Sequence, residues 1–182
     1  MVQTDLSRYD NSWFDRGAGK LKWFCWLIVS ACFVNSLFPY SGLKIFLLRL
    51  FGAEIGKKVV VKPSVNIKFP WKLHIGDFSW IGERAWIDNL AHVNIGKHCC
   101  ISQGAVLLTG NHDFSRQTFD LITRGIILED GVWIGAGAMV CPGVVCKTHS
   151  VLSAGSVTSA DLEGYSVYRG NPAIKIRDRI IS

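Results

Sequence analysis

Of the five histidines in this 182-residue chain, His112 has the surroundings that chemistry requires. It stands in Thr109-Gly-Asn-His-Asp113, at the start of a turn-rich segment that runs to Gly125. An imidazole has an unperturbed pKa of about 6.5, so at neutral pH it can take a proton from a hydroxyl as a bond forms. Spacing alone leaves a plainer reading open, a solvated loop histidine or one that caps a turn. His74, His92, His98 and His149 read as surface turn residues, and His92 sits where it could reach a neighbouring subunit. Asp113 can steer the loop, although a residue adjacent in sequence seldom orients its neighbour's ring.

What must hold His112 in place is a repeat. Aliphatic residues recur every sixth position through Ile55, Val61 and Ile67, then Ile75 to Ile87, Ile95 to Leu107 and Leu128 to Val140. The frame continues through Cys146, Leu152 and Thr158. A small or β-branched residue usually stands two places earlier, as at Ala85, Ala105 and Ala138. A period of six is the mark of a hexapeptide solenoid, in which three strand-and-turn units make a triangular coil of about 18 residues. A β-sandwich has no reason to keep one frame over so many units. Glycine follows the aliphatic residue at Gly56, Gly76, Gly82, Gly96 and Gly135, where it is expected to relieve corners. The frame slips by two residues before Ile75 and before Ile95, and corners are expected to absorb both slips.

The fold expected is therefore an all-β solenoid over residues 53–160, with an inserted loop at 108–127. An arm and helices precede it in residues 1–52. A tail with a short C-terminal helix follows in 161–182 and carries Lys175, Arg177 and Arg179. Before the solenoid, Lys20 to Leu37 reads as a largely apolar helix with an unbroken apolar core too short to span a bilayer, and Ser41 to Phe51 as an amphipathic one. This pair can cap the open end of the solenoid, or lie on a membrane with its basic residues toward lipid phosphates. The two roles are compatible.

Charge is uneven along the chain. Residues 1–72 carry 11 Lys/Arg against 4 Asp/Glu, a balance of +7, and the remainder carries 9 against 10, a balance of −1. That excess suits an anionic surface or ligand. No nucleic-acid-binding motif accompanies it, and no nucleic-acid partner is expected. The six cysteines form no CxxC pair, and Cys99 and Cys146 fall on inward positions as small apolar fillers. A cytoplasmic compartment fits, with contact at the inner face of the membrane allowed by the helices.

Taken together, the hexapeptide frame, the Thr109-Gly-Asn-His-Asp113 loop, Gly131-Val-Trp-Ile-Gly135 and Gly170-Asn-Pro-Ala173 resemble the left-handed β-helix (hexapeptide-repeat) acetyltransferases. The likeness is greatest to their WcaF-type colanic acid branch; galactoside, maltose and Nod-factor acetyltransferases are more distant. The resemblance implies a homotrimer with sites in clefts between solenoids, acetyl-CoA as donor and a sugar hydroxyl as acceptor. It implies His112 as catalytic base and Asn89 as a contact of the acceptor. Asp88, Asn111 and Asp113 join Asn89 as expected substrate-side residues. Trp133 would wall the pantetheine arm, Ala136 and Ala154 would offer backbone amides at the thioester end, and Lys175 and Arg177 would meet the nucleotide phosphates. Many relatives carry Thr-Lys-Asp after the last coil; this chain has Thr158-Ser-Ala-Asp161 and so lacks one possible cofactor contact.

The expected reaction is O-acetylation of a surface polysaccharide or its lipid-linked precursor, by direct attack on the thioester. Two alternatives stand beside it. A γ-carbonic-anhydrase-like metal enzyme on the same fold would need a three-histidine zinc site. Position five beyond His112 is Gln117 and the loop holds no second histidine, so no metal is expected. A non-catalytic trimeric scaffold would have no use for the Asn-His-Asp loop.

Overall fold

The aliphatic residues at period six form ladders, because each short strand pairs in parallel with its equivalent one coil along. The computed structural model describes residues 3–182. In it Ile55, Ile75, Ile95, Leu128 and Cys146 stack on the first sheet. Val61, Ile81, Ile101, Ile134 and Leu152 stack on the second, and Ile67, Ile87, Leu107, Val140 and Thr158 on the third. These side chains, with the small residues two places earlier, fill the centre of a parallel β-solenoid of about six turns.

Coil length changes along the chain. Ile55 pairs with Ile75 and Ile75 with Ile95, so the first coils have 20 residues. Leu128 pairs with Cys146, which restores the expected 18. The two slips are not loose corner residues. Leu73 and Val93 are buried, begin three-residue strands and pair with each other. The extra length widens the corner between the third and first sheets. Phe69, Asn89 and Thr109 hold equivalent buried positions at that corner in three successive coils. Asn89 Oδ1 accepts from the Phe69 backbone N–H at 2.9 Å, and its Nδ2 donates to the Phe69 carbonyl at 2.6 Å. Thr109 Oγ1 donates to the Asp88 carbonyl at 2.8 Å and accepts from the Ala91 N–H at 3.0 Å. At the third coil the widened corner opens into the long insertion.

The glycines do something other than expected. Corners are turned at positive φ by a different set of glycines, Gly104, Gly137 and Gly155 among them, and by larger residues that include Lys58, Phe78, His98 and His149. Their rings stack from coil to coil, Phe78 on His98 at 5.0 Å and His149 on Tyr165 at 4.8 Å. Gly56, Gly76, Gly82, Gly96 and Gly135 instead sit where adjacent coils nearly touch. A Cβ at Gly76 would lie 2.6 Å from the Gly96 carbonyl carbon, and one at Gly135 would lie 2.5 Å from the Ala154 nitrogen. Absence of a side chain, not freedom in φ, is what these positions require.

Helices cover the first coil, and C-terminal strands extend the second sheet beyond the last. The first helix, α1 (Lys20–Val29), runs on as a π-helical turn over Ser30–Val34, and α2 spans Ser41–Leu50. Their polar atoms meet the open edge of the first coil. Trp26 Nε1 donates to the Ile67 carbonyl at 3.1 Å, Arg49 Nη2 to the Ile55 carbonyl at 2.7 Å, and Lys44 Nζ to the Lys62 carbonyl at 3.0 Å. An unpaired strand edge is costly to bury and prone to pairing with other chains, and these donors satisfy it. Lys44 is wholly buried, and it also reaches the Val34 carbonyl. It is therefore not available to lipid phosphates, as the amphipathic reading of α2 had it.

At the far end the expected helix is absent. Ser166–Gly170 adds in parallel to Val151–Leu152, and Ala173–Asp178 folds back on it antiparallel. The sequence Ala173-Ile-Lys-Ile-Arg-Asp alternates apolar and charged residues, which is a strand pattern, and the last coil offers an edge to pair with. Lys175 and Arg177 thus lie on a strand.

Candidate functional site

The insertion begins as a β-hairpin. Gly110–His112 pairs antiparallel with Leu121–Thr123, and His112 stands opposite Leu121. The Thr109 carbonyl accepts from the Arg124 N–H at 2.9 Å, which clamps the hairpin's base to the solenoid corner. Asp113 organises the tip. Its carboxylate accepts from the backbone and hydroxyl of Ser115 and lies 3.6 Å from the Arg116 guanidinium, which also reaches Asp120 at 3.1 Å. The Ser115 hydroxyl first, then its N–H, hold the Asp113 carboxyl below the ordinary carboxylate range. Asn111 is exposed, and its Oδ1 accepts from the His112 N–H at 2.8 Å.

The imidazole of His112 is fixed on three sides. It stacks on the Phe119 ring at 4.4 Å and 8°, and Tyr9 lies against it at 5.6 Å. Its Nδ1 is 2.9 Å from the Phe119 carbonyl oxygen. A carbonyl can only accept, so the proton of the neutral ring is on Nδ1 and Nε2 carries the lone pair. That is the tautomer of a base with one free basic nitrogen. Phe119 holds a left-handed backbone at φ 53°, a conformation a bulky side chain rarely adopts. The arm is held over the hairpin by the Asp5 N–H on the Gln117 carbonyl at 2.9 Å and by Arg8 on Gln117 Oε1 at 3.3 Å.

The residues expected on the acceptor side separate. Asn89 is fully buried and its amide is engaged with Phe69, so it supports the corner beneath the hairpin. Asp88 is nearly buried and paired with Lys68 at 2.7 Å. Beside them a cavity of about 490 Å³ lies between the arm, α1 and the insertion. Tyr9, Phe14, Arg16, Lys68, Phe69 and Leu121 line it. Its wall therefore includes both Tyr9, which touches His112, and Leu121, which is paired with it.

The residues expected to meet the cofactor come together except for one. Trp133, Ala136, Ala154 and Arg177 line a single groove of about 550 Å³ on the second sheet, with Ser102, Gln103 and Arg179. Trp133 Nε1 donates to Ser102 Oγ at 2.9 Å, which sets the indole against the groove wall. Arg179 donates to the Gly131 and His149 carbonyls at 2.9 and 3.1 Å. Lys175 lies outside, its ammonium 3.1 Å from both Glu163 and Asp178. Those carboxylates, Asp178 first, raise its pKa. Asp161, in the run that departs from the family pattern, accepts from the Val145 N–H at 2.8 Å.

Tyr9 and Phe119 had no signal in the sequence. Tyr9 lies a hundred positions away in an arm without periodicity. Ser102 and Gln103 were within reach, because the solenoid register sets them beside Gly135 and Ala136, and those beside Ser153 and Ala154. The groove and the hairpin lie on different sides of the prism. The groove follows the second sheet, and the hairpin leaves the corner after the third. Among the described residues no three of His, Cys, Asp and Glu converge on a point.

No protein-family model matches the chain. It is 38% identical over 181 residues, 97% of each chain, to the Escherichia coli K12 protein WcaF, which is named as a colanic acid biosynthesis acetyltransferase. It is 29% identical to a galactoside O-acetyltransferase of Lactococcus lactis, over 72% of this chain and 67% of that one. Among solved structures, the hexapeptide-repeat acetyltransferase VCA0836 of Vibrio cholerae in complex with acetyl coenzyme A superposes with a TM-score of 0.79. That match is at 25% identity and covers 89% of both chains.

Proposed function

This chain belongs to the hexapeptide-repeat acetyltransferases, and on that footing we propose that it moves an acetyl group from acetyl-CoA to a sugar hydroxyl of a surface polysaccharide or its lipid-linked precursor. The relatives support both partners. One structural neighbour is complexed with acetyl coenzyme A, and the sequence relatives are named for a polysaccharide pathway and for a galactoside. The observation that carries the reading is the His112 imidazole, held by the Phe119 carbonyl with Nε2 as its basic nitrogen.

A sugar hydroxyl is a poor nucleophile until its proton is taken. In the proposed step Nε2 of His112 accepts that proton while the oxygen bonds to the thioester carbonyl carbon. The carbon–sulfur bond then breaks, and the imidazolium returns the proton to the departing thiolate. The tetrahedral oxyanion formed between these events calls for fixed N–H donors. The amides of Ala136 and Ala154, at the groove's edge, are suited to that task. The indole of Trp133 would lie along the pantetheine arm and Arg177 near its phosphates. No acyl-enzyme is needed where both substrates are held together.

Base and groove are on different sides of one chain, so they would meet between neighbouring chains, as in a trimer. The test is thiol release from acetyl-CoA over a panel of soluble sugars, with wild type and His112→Ala. Loss of about 10² to 10⁴ in rate is expected from removing a general base. Equal rates would remove His112 from the reaction.

A further inference from the structure

The N-terminal helices are inside out. On α1 and its π-turn, Trp26, Ser30 and Val34 face the solenoid, at the four-residue spacing of one helix face. The opposite face presents Leu21, Phe24 and Ile28 at 77, 55 and 51% exposure. On α2, Lys44 and Leu48 point inward while Phe46 and Leu50 are 60 and 66% exposed. The polar groups of this cap thus point inward to edge carbonyls, and its outer surface is apolar. Scattered apolar residues are ordinary on a surface, but two helices sharing one such face mark a contact.

We propose that this face sits in the interfacial layer of an anionic lipid bilayer. Charge argues for lipid. Lys57, Lys58 and Lys62 are exposed on the first coil beside the cap, and Lys20 is exposed at the start of α1. The remaining 110 residues supply no positive excess. Cations around an apolar face match anionic headgroups around an acyl layer. Trp13 and Tyr40, 57 and 69% exposed, add the amphipathic rings that favour such a boundary. Among the described residues no helix is long and apolar enough to cross a membrane, so the contact lies in the plane of the surface. The cavity beside His112 is continuous with this face, since Leu27 of α1 lines it and is 45% exposed. His112 leaves the third coil, roughly 10 Å beyond the first at ~4.8 Å per coil. Docking here would hold that cavity at headgroup height.

The test uses the full chain and vesicles, with no acetyl acceptor, so its failure is separate from failure of the proposed reaction. Sedimentation with phosphatidylcholine vesicles containing phosphatidylglycerol is expected to exceed that with phosphatidylcholine alone by at least about tenfold, and to fall with salt. The double variant Phe24→Glu, Phe46→Glu is expected to lose at least about tenfold in binding with its molecular mass unchanged. Cys25 and Cys32 are exposed on the same helical cap and provide a second readout in the wild type. Anionic vesicles are expected to slow their modification by a membrane-impermeant maleimide about tenfold or more, quantified by peptide mass. Failure to sediment, unchanged binding by the double variant, or unchanged Cys25 and Cys32 labelling would each overturn the proposal. So would a drop in molecular mass of the double variant, which would mean that a second copy covers the face.

Discussion

Nδ1 of His112 lies 2.9 Å from the carbonyl oxygen of Phe119, and the two rings stack at 4.4 Å. One residue therefore fixes both the tautomer and the plane of the imidazole. Ordinarily a second side chain, often a carboxylate, does the first job. Here a backbone carbonyl does it, and the left-handed turn at Phe119 belongs to the same arrangement.

Removing the Phe119 ring should free the imidazole to swing. We expect Phe119→Ala to lower kcat by about ten- to a hundredfold with little change in KM for the donor, because misplacing a base by an ångström costs on that scale. Phe119→Tyr should restore most of the rate. Steady-state kinetics on a soluble sugar checks both.

If the base of one chain serves the groove of its neighbour, two inactive variants should rescue each other. His112→Ala keeps the groove, and Ala154→Trp, which fills it, keeps the base. Co-expressed at equal levels, they should recover about a quarter of the wild-type sites in a cyclic assembly. A site built within one chain would recover none.

Gly135→Ala should be costly for both stability and binding. The new methyl would lie 2.5 Å from the Ala154 nitrogen and 2.8 Å from the Ser153 carbonyl carbon, both rigid backbone. Overpacking of this kind costs about 1–3 kcal/mol. A lowered thermal midpoint with weaker coenzyme A binding is expected, since Ala154 lines the groove.

Lys44 connects stability to pH. Burial lowers its pKa from 10.5, so its ammonium is less favourable in the folded than in the unfolded chain. Between that lowered value and 10.5 the unfolded state binds more protons, and this residue's contribution to stability rises with pH. Lys44→Met removes that slope. It also leaves the Val34 and Lys62 carbonyls without their donor, a loss of about 1–3 kcal/mol near neutral pH. Denaturant unfolding of both proteins from neutral to alkaline pH separates the two effects.

The repeat was readable because a solenoid writes its core into the chain at one spacing, and Ile55 to Thr158 keep it. Departures from that spacing were visible but ambiguous. The slip before Ile75 gave no sign that Leu73 is a buried strand residue, since a corner and a longer strand cost the same two positions. Asn89 was set on the acceptor side by the resemblance alone; its amide is engaged by the backbone of Phe69, a partner that carries no sequence signal. Trp133, Ala136 and Ala154 line one groove because the repeat sets their register. Lys175 and Arg177 would share one face of a regular strand, but the pairing shifts register between Val167 and Tyr168, and of the two Arg177 lines the groove while Lys175 meets Glu163 and Asp178. Tyr9 depends on a packed arm, and nothing local announces it.

The solenoid is capped at one end by side chains from two helices, and at the other its second sheet ends in a strand that runs backwards. A ladder of identical rungs has no inherent length, and a bare last rung would template the first rung of another molecule into growing rods. Here the reversed strand takes up the edge of the second sheet, and the helices occupy the Ile55, Lys62 and Ile67 carbonyls of the first coil. Covered edges of this kind work against end-to-end growth, and they fix the number of turns within one chain.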